Sequence, residues 1–222
     1  MKFKAVIFDL DGTLLNTLDD IGDSVNRVLN KKGFKTHEID KYREFVGDGS
    51  KILITRALPQ THRTDEIINE CLEEFFKDYG SNWDKMTHIY NGIAELLDEL
   101  TIRNLKLAIL SNKRHDLTIR CMEKYFSRWH FDSVLGLRDT VPKKPHPVGA
   151  FETADILKIL PEKIIYAGDS ANDIKTAVAA GMFPVGVLWG FRGKKELKES
   201  GAKALIGHPM DLLNIQEICN HP

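Results

Sequence analysis

Four short stretches of the chain are apolar without alternation: Ala5 to Phe8, Leu105 to Leu110, Ile164 to Ala167 and Phe183 to Trp189. Unbroken apolar runs of this length are the pattern of strands buried on both faces, as in a parallel sheet. Helical spacing fills the intervals. Apolar residues recur at Ile93, Leu96, Leu97 and Leu100, then through Leu117 to Phe126, Val148 to Ile159 and Ala171 to Ala180. Strands that alternate with helices predict an α/β fold built on a doubly wound parallel sheet. Val134-Leu135 and Ala204 to Ile206 predict two further short strands.

The alternation breaks between about Leu14 and Asn91, where helical stripes run through Leu18, Ile21, Val25 and Val28 and through Ile68, Leu72, Phe75 and Tyr79 without a convincing strand. This pattern predicts an inserted all-helical domain over 15–87, set into a sheet domain formed by 1–14 and 88–222.

Each of the first three predicted strands runs into polar residues at its carboxyl end. These are Asp9-Leu10-Asp11-Gly12-Thr13, Ser111-Asn112 and Gly168-Asp169-Ser170-Ala171-Asn172-Asp173. The ligand crevice of an open α/β sheet lies outside those carboxyl ends, so three distant segments are expected to converge on one site. Asp9 stands out, because an ionised carboxylate closing an apolar strand is costly unless it is paired or metal-bound. Ser170 and Asp173 also have the spacing of a helix-capping pair.

Composition narrows the function classes. Lys plus Arg number 31 against 32 Asp plus Glu, so the basic excess expected of a nucleic-acid binder is missing. No run approaches the roughly 18 apolar residues of a membrane span. Cys71, Cys121 and Cys219 are widely spaced, which suits free thiols in a reducing cytoplasm better than a disulfide framework or zinc site.

Asp9-Leu10-Asp11-Gly12-Thr13 resembles the DxDGT signature of the haloacid dehalogenase-like superfamily. Ser111 resembles its second motif, Lys144 in Lys144-Pro145-His146-Pro147 its third, and Gly168 to Asp173 its fourth. The helical insertion is similar to the family's first type of cap. The resemblance implies a Rossmann-like core, with Mg2+ held by the Asp9 carboxylate, the Asp11 main-chain carbonyl, Asp169 and, through water, Asp173. It implies Asp9 as the nucleophile that forms an aspartyl-phosphate, and Asp11 as the acid and then the base. Ser111 would hydrogen-bond the phosphoryl group and Lys144 would supply a fixed positive charge, with Gly12, Thr13 and Asn112 completing the substrate contacts. Asp11 favours phosphoryl transfer over dehalogenation, since dehalogenase-like members typically lack an aspartate there. A phospho-aspartate signalling receiver, the non-enzymatic alternative, lacks both that second aspartate and a cap.

Val46-Gly47-Asp48-Gly49-Ser50-Lys51, continuing to Arg56-Ala57-Leu58, resembles a segment of the phosphoglycolate phosphatases in that superfamily, as do Val187 to Arg192. The resemblance implies a small phosphorylated metabolite, 2-phosphoglycolate, as substrate, with Gly47, Gly49, Lys51 and Arg56 as binding residues. An arginine fork suits a substrate carboxylate. Asp48 stands where relatives commonly carry asparagine, and Asn16 where aspartate is frequent. Pyrophosphatase, nucleotidase and phosphosugar mutase activities share the same motifs. A cytoplasmic monomer or homodimer, binding neither nucleic acid nor membrane, is expected.

Overall fold

The computed structural model describes residues 3–215; Cys219 lies outside them. Along the chain run β1 (Ala5–Phe8), β2 (Leu15–Asn16), α1 (Leu18–Lys31), α2 (Tyr42–Phe45), α3 (Ser50–Ala57), α4 (Asp65–Asn82), β3 (His88–Ile89), α5 (Ile93–Ile102) and β4 (Lys106–Arg114). They are followed by α6 (His115–Tyr125), β5 (Ser133–Leu137), α7 (Val148–Leu157), β6 (Ile164–Gly168), α8 (Ala171–Ala179), β7 (Phe183–Val187), α9 (Lys194–Glu199) and β8 (Ala204–Ile206). The chain divides into two compact units, 1–15 with 89–222 and 16–88.

The first unit is a six-stranded sheet in the order β5-β4-β1-β6-β7-β8. Every pairing in it is parallel. The chain builds outward from β1 through β4 and β5, then returns to β6 on the other side of β1, so the strand order reverses between β1 and β6. The central strands are apolar throughout because both faces are covered. Ala5, Ile7, Leu110 and Tyr166 pack in one core cluster with Ala150, Ala154 and Leu157 of α7 and Ala177 of α8. The small side chains on these helices let them approach the sheet closely.

Two strand ends differ from the sequence expectation. β4 continues past Leu110 to Arg114, with a register shift between those residues, and so takes Ser111 and Asn112 into the strand. β7 stops at Val187, leaving Leu188 and Trp189 in the loop that follows.

The second unit is mainly helical. Leu18, Ile21, Val25 and Val28 form the buried stripe of α1, whose first turn carries Asp19 and Asp20 and whose last turn carries Lys31, a charge order that complements the helix dipole. α4 begins at Thr64, whose hydroxyl caps it by accepting from the Ile67 amide. Its buried stripe runs through Ile68, Cys71, Phe75 and Tyr79, so Cys71 occupies the place expected for Leu72. Asp20, buried near the start of α1, accepts from the amides of Met86 and Thr87 and from the Thr87 hydroxyl. Arg27 grips Asp78 through two nitrogens. The two-residue strands β2 and β3 form a second small sheet that the sequence pattern did not predict.

Candidate active site

The reversal between β1 and β6 sets the place of the site, because loops leave the two neighbouring strands in opposite directions and open a crevice at their carboxyl ends. Asp9 directly follows β1, and Asp169 directly follows β6. The Asp9 amide donates to the Ala167 carbonyl at 3.0 Å, which continues the ladder by one residue and locks the two strand ends together. Asp173 comes from the first turn of α8. Its Oδ2 accepts from the Ser170 amide at 3.0 Å and the Ser170 hydroxyl at 2.6 Å, so the capping pair read in the sequence is present. One carboxylate oxygen from each of Asp9, Asp169 and Asp173 lies within 4.8 Å of the other two.

Glycines make room for this crowding. Gly12 sits at φ +84°, and a Cβ there would collide with the Asp169 carboxylate, so the turn needs glycine for both conformation and space. A Cβ at Gly190 would collide with Asp169 and with the Gly12 carbonyl. The loop carrying Gly190 also holds the site from the β7 side. The Phe191 amide donates to Asp169 Oδ2 at 2.8 Å, and the Trp189 indole donates to the Thr13 carbonyl at 2.9 Å. Thr13 is fully buried, and its hydroxyl lies 3.4 Å from Asp169 Oδ1.

Lys144 is the cation at the centre. It is buried, whereas Lys143 beside it is exposed. Its ammonium lies 2.9 Å from Asp9 Oδ1 and 2.6 Å from Asp173 Oδ1, and it donates to the Leu110 carbonyl at 2.9 Å. Burial alone would lower its pKa, but Asp173 and Asp9 beside it hold the group well above the ordinary lysine value. Asn112 holds the main chain of this lysine, with its amide donating to the Lys144 carbonyl at 3.1 Å and accepting from the Lys144 amide at 2.9 Å. The Asn112 amide, expected to touch substrate, contacts the main chain of Lys144 in the structure. Ser111 is buried, and its hydroxyl accepts from the Lys113 amide at 3.2 Å.

Asp11 does not join the carboxylate triad. Its two oxygens lie 3.0 and 3.3 Å from the ammonium of Lys113, a residue that the sequence reading did not single out. A lysine two positions past a motif serine reads as a surface charge; only the continuation of β4 through this segment buries it.

Among the described residues the site gathers four carboxylates (Asp9, Asp11, Asp169, Asp173) and two ammonium groups (Lys113, Lys144), a formal excess of two negative charges. The cost of that excess is visible in the protonation equilibria. Burial, with Asp173 close by and only partly offset by Lys144, raises Asp9 from 3.8 to about 7. Burial and the same neighbouring carboxylates raise Asp169 well above the ordinary range. A cluster of hard oxygen donors that is two charges too negative fits one divalent cation.

In the second unit, Gly47 and Gly49 both adopt positive φ, at 103° and 86°. Lys51 forms an exposed ion pair with Asp65 at 3.2 Å. Arg56 pairs with Asp48 at 2.6 Å and donates to the Phe45 carbonyl at 3.1 Å. These contacts of Arg56 all use Nη1 and lie within its own unit, across the loop that precedes α3. Cys71 and Cys121 are both buried. Among the described residues no helix is long and apolar enough to cross a membrane.

Comparison with known proteins agrees with this arrangement. The chain is 31% identical to a phosphoglycolate phosphatase of Mannheimia succiniciproducens, over 96% of this chain and 98% of the relative. It is 30% identical to a phosphoglycolate phosphatase of Psychrobacter arcticus, over 90% and 89% of the two. The crystal structure of a predicted phosphoglycolate phosphatase from Haemophilus somnus superposes with a TM-score of 0.89 at 26% identity, covering 97% of this chain and 99% of that one. The family model for haloacid dehalogenase-like hydrolases matches residues 6–187, a span that holds Asp9, Asp11, Ser111, Lys144, Asp169 and Asp173 in order, and the chain belongs to that family.

Proposed function

We propose that the protein is a cytoplasmic, magnesium-dependent phosphatase that hydrolyses 2-phosphoglycolate through an aspartyl-phosphate on Asp9. The observation that carries this reading is the position of Asp9. It is a carboxylate at the switch point of the sheet, 2.9 Å from a buried ammonium and beside two further carboxylates. A phosphate monoester is an anion that repels a carboxylate nucleophile, so attack requires cations around the transferred oxygens. Asp9, Asp169 and the Asp11 carbonyl would hold magnesium, whose charge offsets that on those oxygens. Asp173 contributes at one remove, since its own oxygens hold Lys144 and Ser170.

Asp9 attacks phosphorus and the ester oxygen departs with a proton from Asp11. Asp11, now ionised, accepts a proton from the water that cleaves the phospho-enzyme, so one residue serves as acid and then base. Lys144 holds positive charge beside the nucleophile through both steps. Ser111 donates to the phosphoryl group, and Gly12 and Thr13 border it through the turn after β1. Substrate selectivity falls to Gly47 and Gly49, in the loop between α2 and α3, and to Lys51 on α3. Arg56 supports that loop through Asp48.

The names of the relatives favour 2-phosphoglycolate within the class. Phosphate release measured over 2-phosphoglycolate, pyrophosphate, sugar phosphates and nucleoside monophosphates, with magnesium or with a chelator, tests the reading. A preference of more than ~100-fold in kcat/KM for 2-phosphoglycolate, about 2.7 kcal/mol in the transition state, is expected. Equal rates with the chelator would refute metal dependence. A comparable preference for another class would move the substrate.

A further inference from the structure

We propose that Lys113 is a positioning residue for Asp11, fixing the carboxylate that serves as acid and base; the inference rests on that reading of Asp11. The Lys113 ammonium lies 3.0 and 3.3 Å from the two Asp11 oxygens, a contact to both ends of the carboxylate. The side chain that makes it is only 5% exposed, against 20% for Asp11. Lysine is rarely buried without a task, since its ammonium loses hydration and its long stem loses rotamer freedom.

The main chain of Lys113 is held as firmly as its head. Its amide donates to the Ser111 hydroxyl, and its position follows the register shift that carries β4 on past Leu110. Two consecutive residues of β4 thereby hold two different parts of the site. Asn112 clamps the main chain of Lys144, and Lys113, whose amide is held by the buried Ser111, holds Asp11.

The two buried lysines also divide three of the four carboxylates between them. Lys144 holds Asp9 and Asp173, whereas Lys113 holds Asp11 apart from the triad. Without that anchor, the side chain in the turn after β1 has no fixed direction relative to the ester oxygen it must reach. General acid–base transfer needs hydrogen-bond distance, and a displacement of ~1 Å costs on the order of 100-fold.

The test is pre-steady-state hydrolysis of p-nitrophenyl phosphate by the full chain with magnesium. It compares wild type, Lys113→Met, Lys113→Arg, Asp11→Asn and the double variant Asp11→Asn/Lys113→Met. The nitrophenolate leaving group needs little protonation, so forming the phospho-enzyme depends weakly on Asp11 while its hydrolysis depends on it strongly. Lys113→Met should keep the nitrophenol burst rate within ~3-fold of wild type while steady-state turnover falls ~30-fold or more. Lys113→Arg should recover part of the loss. In the Asp11→Asn background, Lys113→Met should cost less than ~3-fold, because two residues acting as one unit are not additive.

Additive losses, or a burst that falls together with turnover, would overturn the proposal and make Lys113 a support of the strand. Should Lys113→Met fail to fold, Lys113→Gln, which keeps a polar stem, takes its place in the same cycle. Wild-type turnover in Asp11→Asn alone would instead remove the acid–base reading beneath the proposal.

Discussion

Asp9 is held in a conflict that only its position explains. It lies 2.9 Å from the Lys144 ammonium, yet burial and Asp173 raise its pKa to about 7. A carboxylate kept for stability alone would not be placed beside two others in a buried cleft. Asp9→Asn preserves shape but removes the nucleophile, so steady-state kinetics should show a loss of at least ~1,000-fold, about 4 kcal/mol. Retention of a tenth of wild-type turnover would contradict covalent catalysis at this residue. Asp9, Asp169 and Asp173 were legible in the sequence because their segments follow apolar runs that topology aligns at one edge, whereas Lys144 was reached only through the resemblance of Lys144-Pro145-His146-Pro147 to a family motif. Lys113 was not, since a lysine carries no signal of burial. Nor was the Phe191 amide on Asp169, because a main-chain donor leaves no trace in residue type.

The elements show where reading the pattern reached its limit. Both-face burial gave β1, β4, β6 and β7 a recognisable apolar run, while the partly exposed β5 and β8 showed only runs of two and three apolar residues; the polar end of β4 looked like loop although it extends the strand to Arg114. β2 and β3, two residues each, are too short for any periodicity to register. The extension of β4 matters because it turns Asn112 onto the main chain of Lys144. Asn112→Ala should therefore lower kcat by ~10 to 100-fold through a displaced ammonium, with little change in the melting profile; an unchanged kcat would show that the clamp is dispensable. In the helical unit, Arg56 closes the loop around Gly47 and Gly49 through Asp48 and the Phe45 carbonyl. Arg56→Ala is expected to weaken 2-phosphoglycolate and p-nitrophenyl phosphate to within ~3-fold of each other, since it loosens the loop rather than deleting a carboxylate contact. A loss confined to 2-phosphoglycolate would restore the carboxylate-gripping role first expected of the arginine.

For the molecule as a whole, the excess negative charge of the site couples folding to pH and metal. The carboxyl groups of Asp9 and Asp169 have raised pKa values in the folded protein, so between pH 4 and 7 the folded state binds more protons than the unfolded one. Stability of the metal-free protein therefore falls as pH rises through that window. A divalent cation displaces those protons, so its stabilising effect grows in the same direction. Thermal melts with and without magnesium should show a larger metal-induced shift at pH 8 than at pH 5, and an equal or larger shift at pH 5 would contradict a carboxylate-held cation. The central claim, a phosphoryl group carried on Asp9, is open to a direct measurement. Asp11→Asn protein with magnesium is mixed with p-nitrophenyl phosphate, quenched in acid during the burst, digested and mapped by mass spectrometry. The account predicts one added phosphoryl mass on the peptide containing Asp9, stoichiometric with the nitrophenol released in the burst. A burst with no phosphorylated peptide, or a phosphoryl group located on any other residue, would contradict it.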